Sequence, residues 1–260
     1  MKGVSMNYLV SASTDVGIKK TTNQDSLTVK TIETDNGYFA FAVMCDGMGG
    51  LQKGELASAT VVKAFTDWLY MNRNRIFREN MEDSIIRNEW EQLVKEQNRK
   101  IMDYGRRNGV SLGTTATVML LTEYRYYILN VGDSRAYEIT EEIRQLTEDQ
   151  TVVAREVRFG RMTEEEARQD LRRNVLLQCI GASGDVYPDM FFGETKKDAV
   201  YMLCSDGFRH QITAEEIRSM LNPSVLLDTG SMKRSEEYLI DLNKRRMETD
   251  NISIVTIRTF

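Results

Sequence analysis

The sequence predicts an α+β fold in which antiparallel strands come in blocks and helices pack on the sheets they form. Three observations predict it. Apolar runs of strand length recur in groups rather than alternating one for one with helices. Two long segments between those groups carry apolar residues at helical spacing. Only two prolines occur, and no Gly/Ser-rich linker, repeat or low-complexity segment divides the 260 residues. One compact domain over residues 1–260 is therefore expected.

Taken in order, residues 8–13, 25–32 and 38–45 read as strands. The last two flank Asn36-Gly37, a two-residue hairpin signal. A helix over about 54–71 places Ala57, Val61, Ala64, Phe65 and Trp68 on one face. A second, over about 83–106, does the same with Ile86, Trp90, Leu93, Val94 and Ile101. TTATVMLL, YRYYILNV and SRAYEIT then read as three short strands. Residues 148–185 are more charged and read as short helices. Strands return at 189–195 and 199–204, helices follow near 213–220 and 233–247, and NISIVTIRTF closes the chain as a strand.

Composition excludes several classes. A hydrophobic content of 41% supports a sizeable core, and a net charge of −5 argues against a general nucleic-acid binder. Three widely spaced cysteines, Cys45, Cys179 and Cys204, form no CxxC pair and suit a reducing compartment as buried, apolar-like thiols. MKGVSMNYLVSAST has no signal-peptide core, and no apolar run approaches a membrane span. A soluble cytoplasmic protein, with no nucleic acid and no membrane among its partners, is expected.

The chemistry collects at strand ends. AFAVMC ends at Asp46-Gly47, and four of the eight residues from 47 to 54 are glycine. YYILNV ends at Gly132-Asp133-Ser134, AVYMLCS ends at Asp206-Gly207, Asp250-Asn251 precedes ISIVTI, and Asn23-Gln24-Asp25 opens another strand. A lone Asp-Gly after a strand is usually a turn. Five carboxylates brought to one edge would repel one another unless cations neutralised them, and oxygen-rich clusters suit Mg²⁺ or Mn²⁺. Other hydrolytic chemistries lack their parts. The single histidine, His210, excludes a His-rich zinc site and is given no role. There is no G-x-S-x-G elbow, no cysteine followed by five residues and an arginine, and no G-x-x-x-x-G-K-[ST] loop. Metal-activated water remains.

The motif order resembles the metal-dependent protein serine/threonine phosphatases of the PPM, or type 2C, family, in its compact bacterial form. The matching segments are TTNQDS at 21–26, VMCDGMGG at 43–50, GTTATV at 113–118, NVGDSRAY at 130–137, LTEDQT at 146–151, RRNVLLQCIG at 172–181, LCSDGF at 203–208 and ETDNIS at 248–253. They run in the family's order over nearly the whole chain. The resemblance implies a four-layer α-β-β-α sandwich: two antiparallel sheets face to face, helix pairs outside, and a flap subdomain over about 148–187. It implies two ions, Mg²⁺ or Mn²⁺, at one edge. Asp46 would bridge them, the Gly47 carbonyl would bind one, and Asp206 and Asp250 would hold the first. Asp25 would touch the second through water. Asp133, with Asp206, would match a weaker third site. A hydroxide shared by both ions would attack the phosphoryl group directly, with no covalent phosphoenzyme. The implied substrates are phosphoserine and phosphothreonine proteins, the implied partner is a cognate Ser/Thr kinase, and a monomer is expected.

Three positions depart from the best-known members. Lys20 stands where an arginine usually grips the substrate phosphate, supplying charge without a bidentate fork. Met48 replaces a histidine proposed to protonate the leaving group in animal members, and Gln150 replaces a histidine in LTxDHS, for which only a structural effect is expected. GTT, Ser134 and Arg135 are expected to shape the core below the site. Two other readings stand beside the phosphatase: a non-catalytic phosphoprotein-binding module, hinted at by Lys20 alone, and a small-molecule phosphohydrolase, for which no base-stacking or sugar-binding motif speaks. A sporulation-type regulator is a narrower variant that usually lacks the flap.

Overall fold

The computed structural model describes residues 6–34, 37–48, 53–78 and 82–260. Asn36 of the hairpin signal and Gly49 and Gly50 of DGMGG lie outside the described residues. Among the described residues, ten strands form two antiparallel five-stranded sheets. The first sheet has the order β1 (Tyr8–Asp15), β10 (Ile252–Thr259), β9 (Val200–Cys204), β6 (Arg135–Ile139), β7 (Ile143–Gln145). The second has the order β2 (Ser26–Thr34), β3 (Gly37–Cys45), β4 (Ala116–Leu121), β5 (Arg125–Val131), β8 (Asp189–Glu194).

Side-chain alternation along the central strands builds the layers. Ala40, Ala42 and Met44 of β3 join Tyr201 and Leu203 of β9 in the core between the sheets. Phe39, Phe41, Val43 and Cys45 point the other way, onto α1 (Gly54–Arg78) and α2 (Asp83–Asn108). On the opposite outer face, Val200, Met202 and Cys204 pack under α6 (Ala214–Leu221) and α7 (Thr229–Arg245), with Ile217, Leu221, Met232 and Leu239. β3 and β9 are therefore apolar at every core position because both their faces are covered. Trp90 anchors the α1–α2 layer, with edge-on contacts to Phe41, Phe65 and Trp68 at ring-centroid distances of 6.3, 5.9 and 5.4 Å.

The helices end where local chemistry ends them. α6 and α7 start at capping boxes, Thr213 with Glu216 and Asp228 with Ser231. The Asp228 box starts α7 four residues earlier than the apolar pattern suggests. α2 stops at Gly109, whose φ of 64° suits an αL cap. α1 runs on to Arg78, past the expected end near 71, and buries Ile76. Between β7 and β8 lie the short helices α3 (Val152–Arg158) and α4 (Glu164–Gln169). A four-residue helix, α5 (Asp206–Arg209), follows β9, where the sequence reading placed no helix.

Candidate metal centre

Strand pairing brings the acids together. β2 and β3 pair with Ser26 opposite Cys45, so Asp25 and Asp46 stand side by side just beyond that pair. β9 and β10 pair with Cys204 opposite Ile254, which sets Asp206 beside Asp250. β6 pairs with β9 with Arg135 opposite Cys204, and this carries Asp133 in the β5–β6 turn toward Asp206. The two sheets thus deliver five carboxylates to one edge of the sandwich.

Asp46 is held through its backbone. Its N–H donates to Thr115 Oγ1 at 2.9 Å, and its carbonyl accepts from Thr115 N at 2.9 Å and Thr114 Oγ1 at 3.0 Å. Thr115 Oγ1 also meets Ser134 Oγ at 2.9 Å, so the GTT segment ties Asp46 to the turn bearing Asp133. Gly47 N donates to Gln24 O at 3.1 Å, and an alanine methyl at Gly47 would lie 2.5 Å from both Gln24 O and Gly54 O. Glycine is needed here for close approach of three chain segments. Asn251 performs the matching task at the other sheet. Its Oδ1 accepts from Gln24 N at 2.9 Å, and its Nδ2 donates to Val16 O at 2.9 Å and Thr22 O at 3.2 Å.

The electrostatics are those of crowded acids. Burial pushes Asp25 up to about 7, with the Asp206 and Asp250 charges adding and the nearby Ser253 and Ser205 hydroxyls opposing. Asp46 is raised well above the carboxylate range, first by burial and then by Asp25, Asp206, Asp133 and Asp250. Burial and Asp206 raise Asp133 to about 7, against Arg209. Among the described residues, both carboxylate oxygens of Asp25 and Oδ1 of Asp206 are buried with no hydrogen-bond partner. Buried polar atoms normally find partners, so orphaned carboxylate oxygens facing other acids fit a cation.

No three His, Cys, Asp or Glu side chains among the described residues close round a single point as a full ligand cage. Mg²⁺ at protein sites usually keeps several waters and takes one or two carboxylates. The acids alone suit hard divalent ions, and Gly47 follows Asp46 directly in the chain.

Lys20 also reaches this edge, with Nζ 3.0 Å from Asp250 Oδ1 and both side chains about one-third exposed, at 30% and 35%. Residues that sequence reasoning passed over are here too. His210 Nε2 lies 3.6 Å from Asp206 Oδ2, and Nδ1 lies 3.5 Å from Glu248 Oε2. Burial alone would lower His210; the two carboxylates more than reverse that. Glu248 Oε1 in turn accepts from Asp250 N at 2.9 Å. The His210–Asp206 contact is one helical turn of α5, and only the contact to Glu248 joins distant segments. Gln150 is structural, with Oε1 accepting from Gly132 N at 2.9 Å and Nε2 donating to Asp189 Oδ2 at 2.7 Å. Cys45 and Cys204 are fully buried, and burial pushes the Cys204 thiol up to about 12.

The sandwich thus carries an acid-lined edge that fits divalent cations. Comparison with known proteins agrees. The chain belongs to the protein phosphatase 2C family, whose model matches residues 17–237. It is 30% identical over 250 residues to a putative protein phosphatase 2C-type from Streptococcus pyogenes, covering 95% of this chain and 96% of that one. The solved S. agalactiae serine/threonine phosphatase superposes with a TM-score of 0.80 at 27% identity, over 97% of this chain and 99% of the other. The catalytic domain of the serine/threonine protein phosphatase PstP, solved in complex with two manganese ions, gives 0.76 at 25% identity, over 98% and 99%. The four-layer expectation and the family expectation are both borne out. Neither the binding-module nor the small-molecule reading is favoured.

Proposed function

We propose that the chain removes phosphate from phosphoserine and phosphothreonine in proteins, using two divalent ions, Mg²⁺ or Mn²⁺, held at the acidic edge. The observation that carries this is the set of partnerless buried carboxylate oxygens on Asp25 and Asp206, in a cluster of five acids where Asp25, Asp46 and Asp133 are raised by burial and by neighbouring carboxylates. Asp46 is raised by each of the other four acids, so it would be shared between the ions, with the Gly47 carbonyl as a further ligand. Asp206 and Asp250 would hold one ion, and Asp25 would serve the other. When bound, such ions supply Lewis acidity toward phosphoryl oxygens and make water a nucleophile near neutral pH.

The chain's own residues do the rest. Thr114 and Thr115 fix the Asp46 backbone, and Asn251 fixes the Gln24 segment, so the two halves of the ligand set keep their spacing. Lys20 is paired to Asp250 and exposed enough to reach solvent. Lys20 would meet the substrate phosphate as a point charge rather than a bidentate fork. Residues 148–187 act as a flap within a single catalytic domain. A cavity of about 760 Å³ lies between α3–α4 and the wall made by Asp133, Arg135, Arg209 and His210, with room for residues flanking the phosphate. No described helix is long and apolar enough to cross a membrane. A cytoplasmic monomer opposing a Ser/Thr kinase is the setting this reading fits. The test is phosphate release from a phosphothreonine peptide with Mn²⁺, with Mg²⁺ and with chelator.

A further inference from the structure

The resemblance offers Asp133 as a ligand for a third, weaker ion. In the structure that position faces a fixed positive charge. Arg209 Nη2 donates to the Asp133 backbone carbonyl at 3.0 Å and stands 3.6 Å from Asp133 Oδ2. The same nitrogen lies 3.5 Å from Asp149 Oδ2. Arg135 grips Asp149 from the other side through two hydrogen bonds, Nε to Oδ1 at 2.7 Å and Nη2 to Oδ2 at 2.6 Å. The acidic edge therefore ends in a row of alternating charge: Asp133, Arg209, Asp149, Arg135.

Local geometry explains the placement. Arg209 lies three residues beyond Asp206 on α5, so the helical turn that presents Asp206 also carries Arg209 toward Asp133. The Arg209 side chain is only 14% exposed. A guanidinium remains charged at every working pH, unlike a metal ion that comes and goes with concentration. An ion taking Asp133 as ligand would have to approach a carboxylate already facing that charge, and like charges repel at such short range.

We propose that Arg209 stands in for a cation at Asp133, so that Asp133 takes no divalent ion in this chain and the centre works with two. The inference rests on the two-ion reading above. Its role is positional: Arg209 neutralises Asp133 and ties the β5–β6 turn to Asp149, at the root of the segment bearing α3 and α4.

The test is the number of Mn²⁺ ions bound by the metal-free full chain, measured by equilibrium dialysis with elemental analysis up to millimolar metal. Wild type and Asp133→Asn are expected to bind the same number. Folded Arg209→Ala is expected to gain one weaker ion, which the double variant Arg209→Ala/Asp133→Asn loses. A wild-type ion that disappears in Asp133→Asn overturns the proposal, as does a folded Arg209→Ala that gains none. The comparison of wild type with Asp133→Asn decides the matter even if Arg209→Ala does not fold. Fewer than two ions in wild type would instead sink the two-ion reading, and this inference with it.

Discussion

Replacing Gly47 with alanine tests why the backbone at the acidic edge is glycine. The added methyl would lie 2.5 Å from Gln24 O, 2.5 Å from Gly54 O and 2.6 Å from Gly54 C. Ordinary carbon contacts fall at about 3.5–4.0 Å, so the overlap is roughly 1 Å. Every clashing atom is backbone, and no rotamer change relieves it. Overpacking of this kind costs about 1–3 kcal/mol. At about 2–4 °C per kcal/mol for a chain of this size, Tm falls by about 2–12 °C. The displaced segments are those that set Asp46 against Asp25, so Mn²⁺ affinity falls as well. Thermal unfolding of the metal-free protein and Mn²⁺ titration by calorimetry read the two effects. Gly184→Ala is the control, since a methyl there meets nothing within 4 Å. If Gly47→Ala matches Gly184→Ala in both Tm and Mn²⁺ affinity, the close-approach argument is wrong.

Two further outcomes are expected. Asp25 and Asp133 are raised from 3.8 to about 7. Without metal, the stability tied to their protonated forms is present below the unfolded value and lost as pH rises through about 7. Because Mn²⁺ competes with the proton on Asp25, it should raise Tm more at pH 8 than at pH 6; equal shifts would contradict the assignment of Asp25 to an ion. Glu236 is buried and accepts from Ser11, Ser13 and Thr256 hydroxyls at 2.8, 2.7 and 2.6 Å, pinning α7 to β1 and β10. Glu236→Ala strands those donors and should cost about 3 kcal/mol in chemical denaturation, whereas a change under about 0.5 kcal/mol would remove Glu236 from the account.

The parts of the fold legible in the sequence are those whose signal is local. β3 and β9 announce themselves as apolar runs because both faces are covered, and an acid at the end of such a run stands out. β7 was missed: its three residues lie at a sheet edge, and Arg144 and Gln145 are exposed, leaving no apolar pattern. The end of α1 was placed too early because NRNRIFR is polar apart from Ile76 and Phe77, and one buried contact is too little to show a period. α5 reads as a turn because Asp206-Gly207 is turn chemistry, while the helical turn depends on packing Phe208 into the core. His210 carried no signal, since its contact to Asp206 depends on the unexpected turn of α5 and Glu248 is distant in sequence. Arg209 was silent for the same reason: its acceptor, Asp133, is 76 residues away in sequence.

The most direct test of the central claim is phosphate release from a phosphothreonine peptide by the wild type, Asp46→Asn and Asp206→Asn. It is run with Mn²⁺ and again with chelator. Release by the wild type that requires metal, and that both substitutions abolish while leaving the fold intact, is the predicted result. No release by folded, Mn²⁺-loaded wild type on several phosphopeptides, or full activity in either variant, would contradict it.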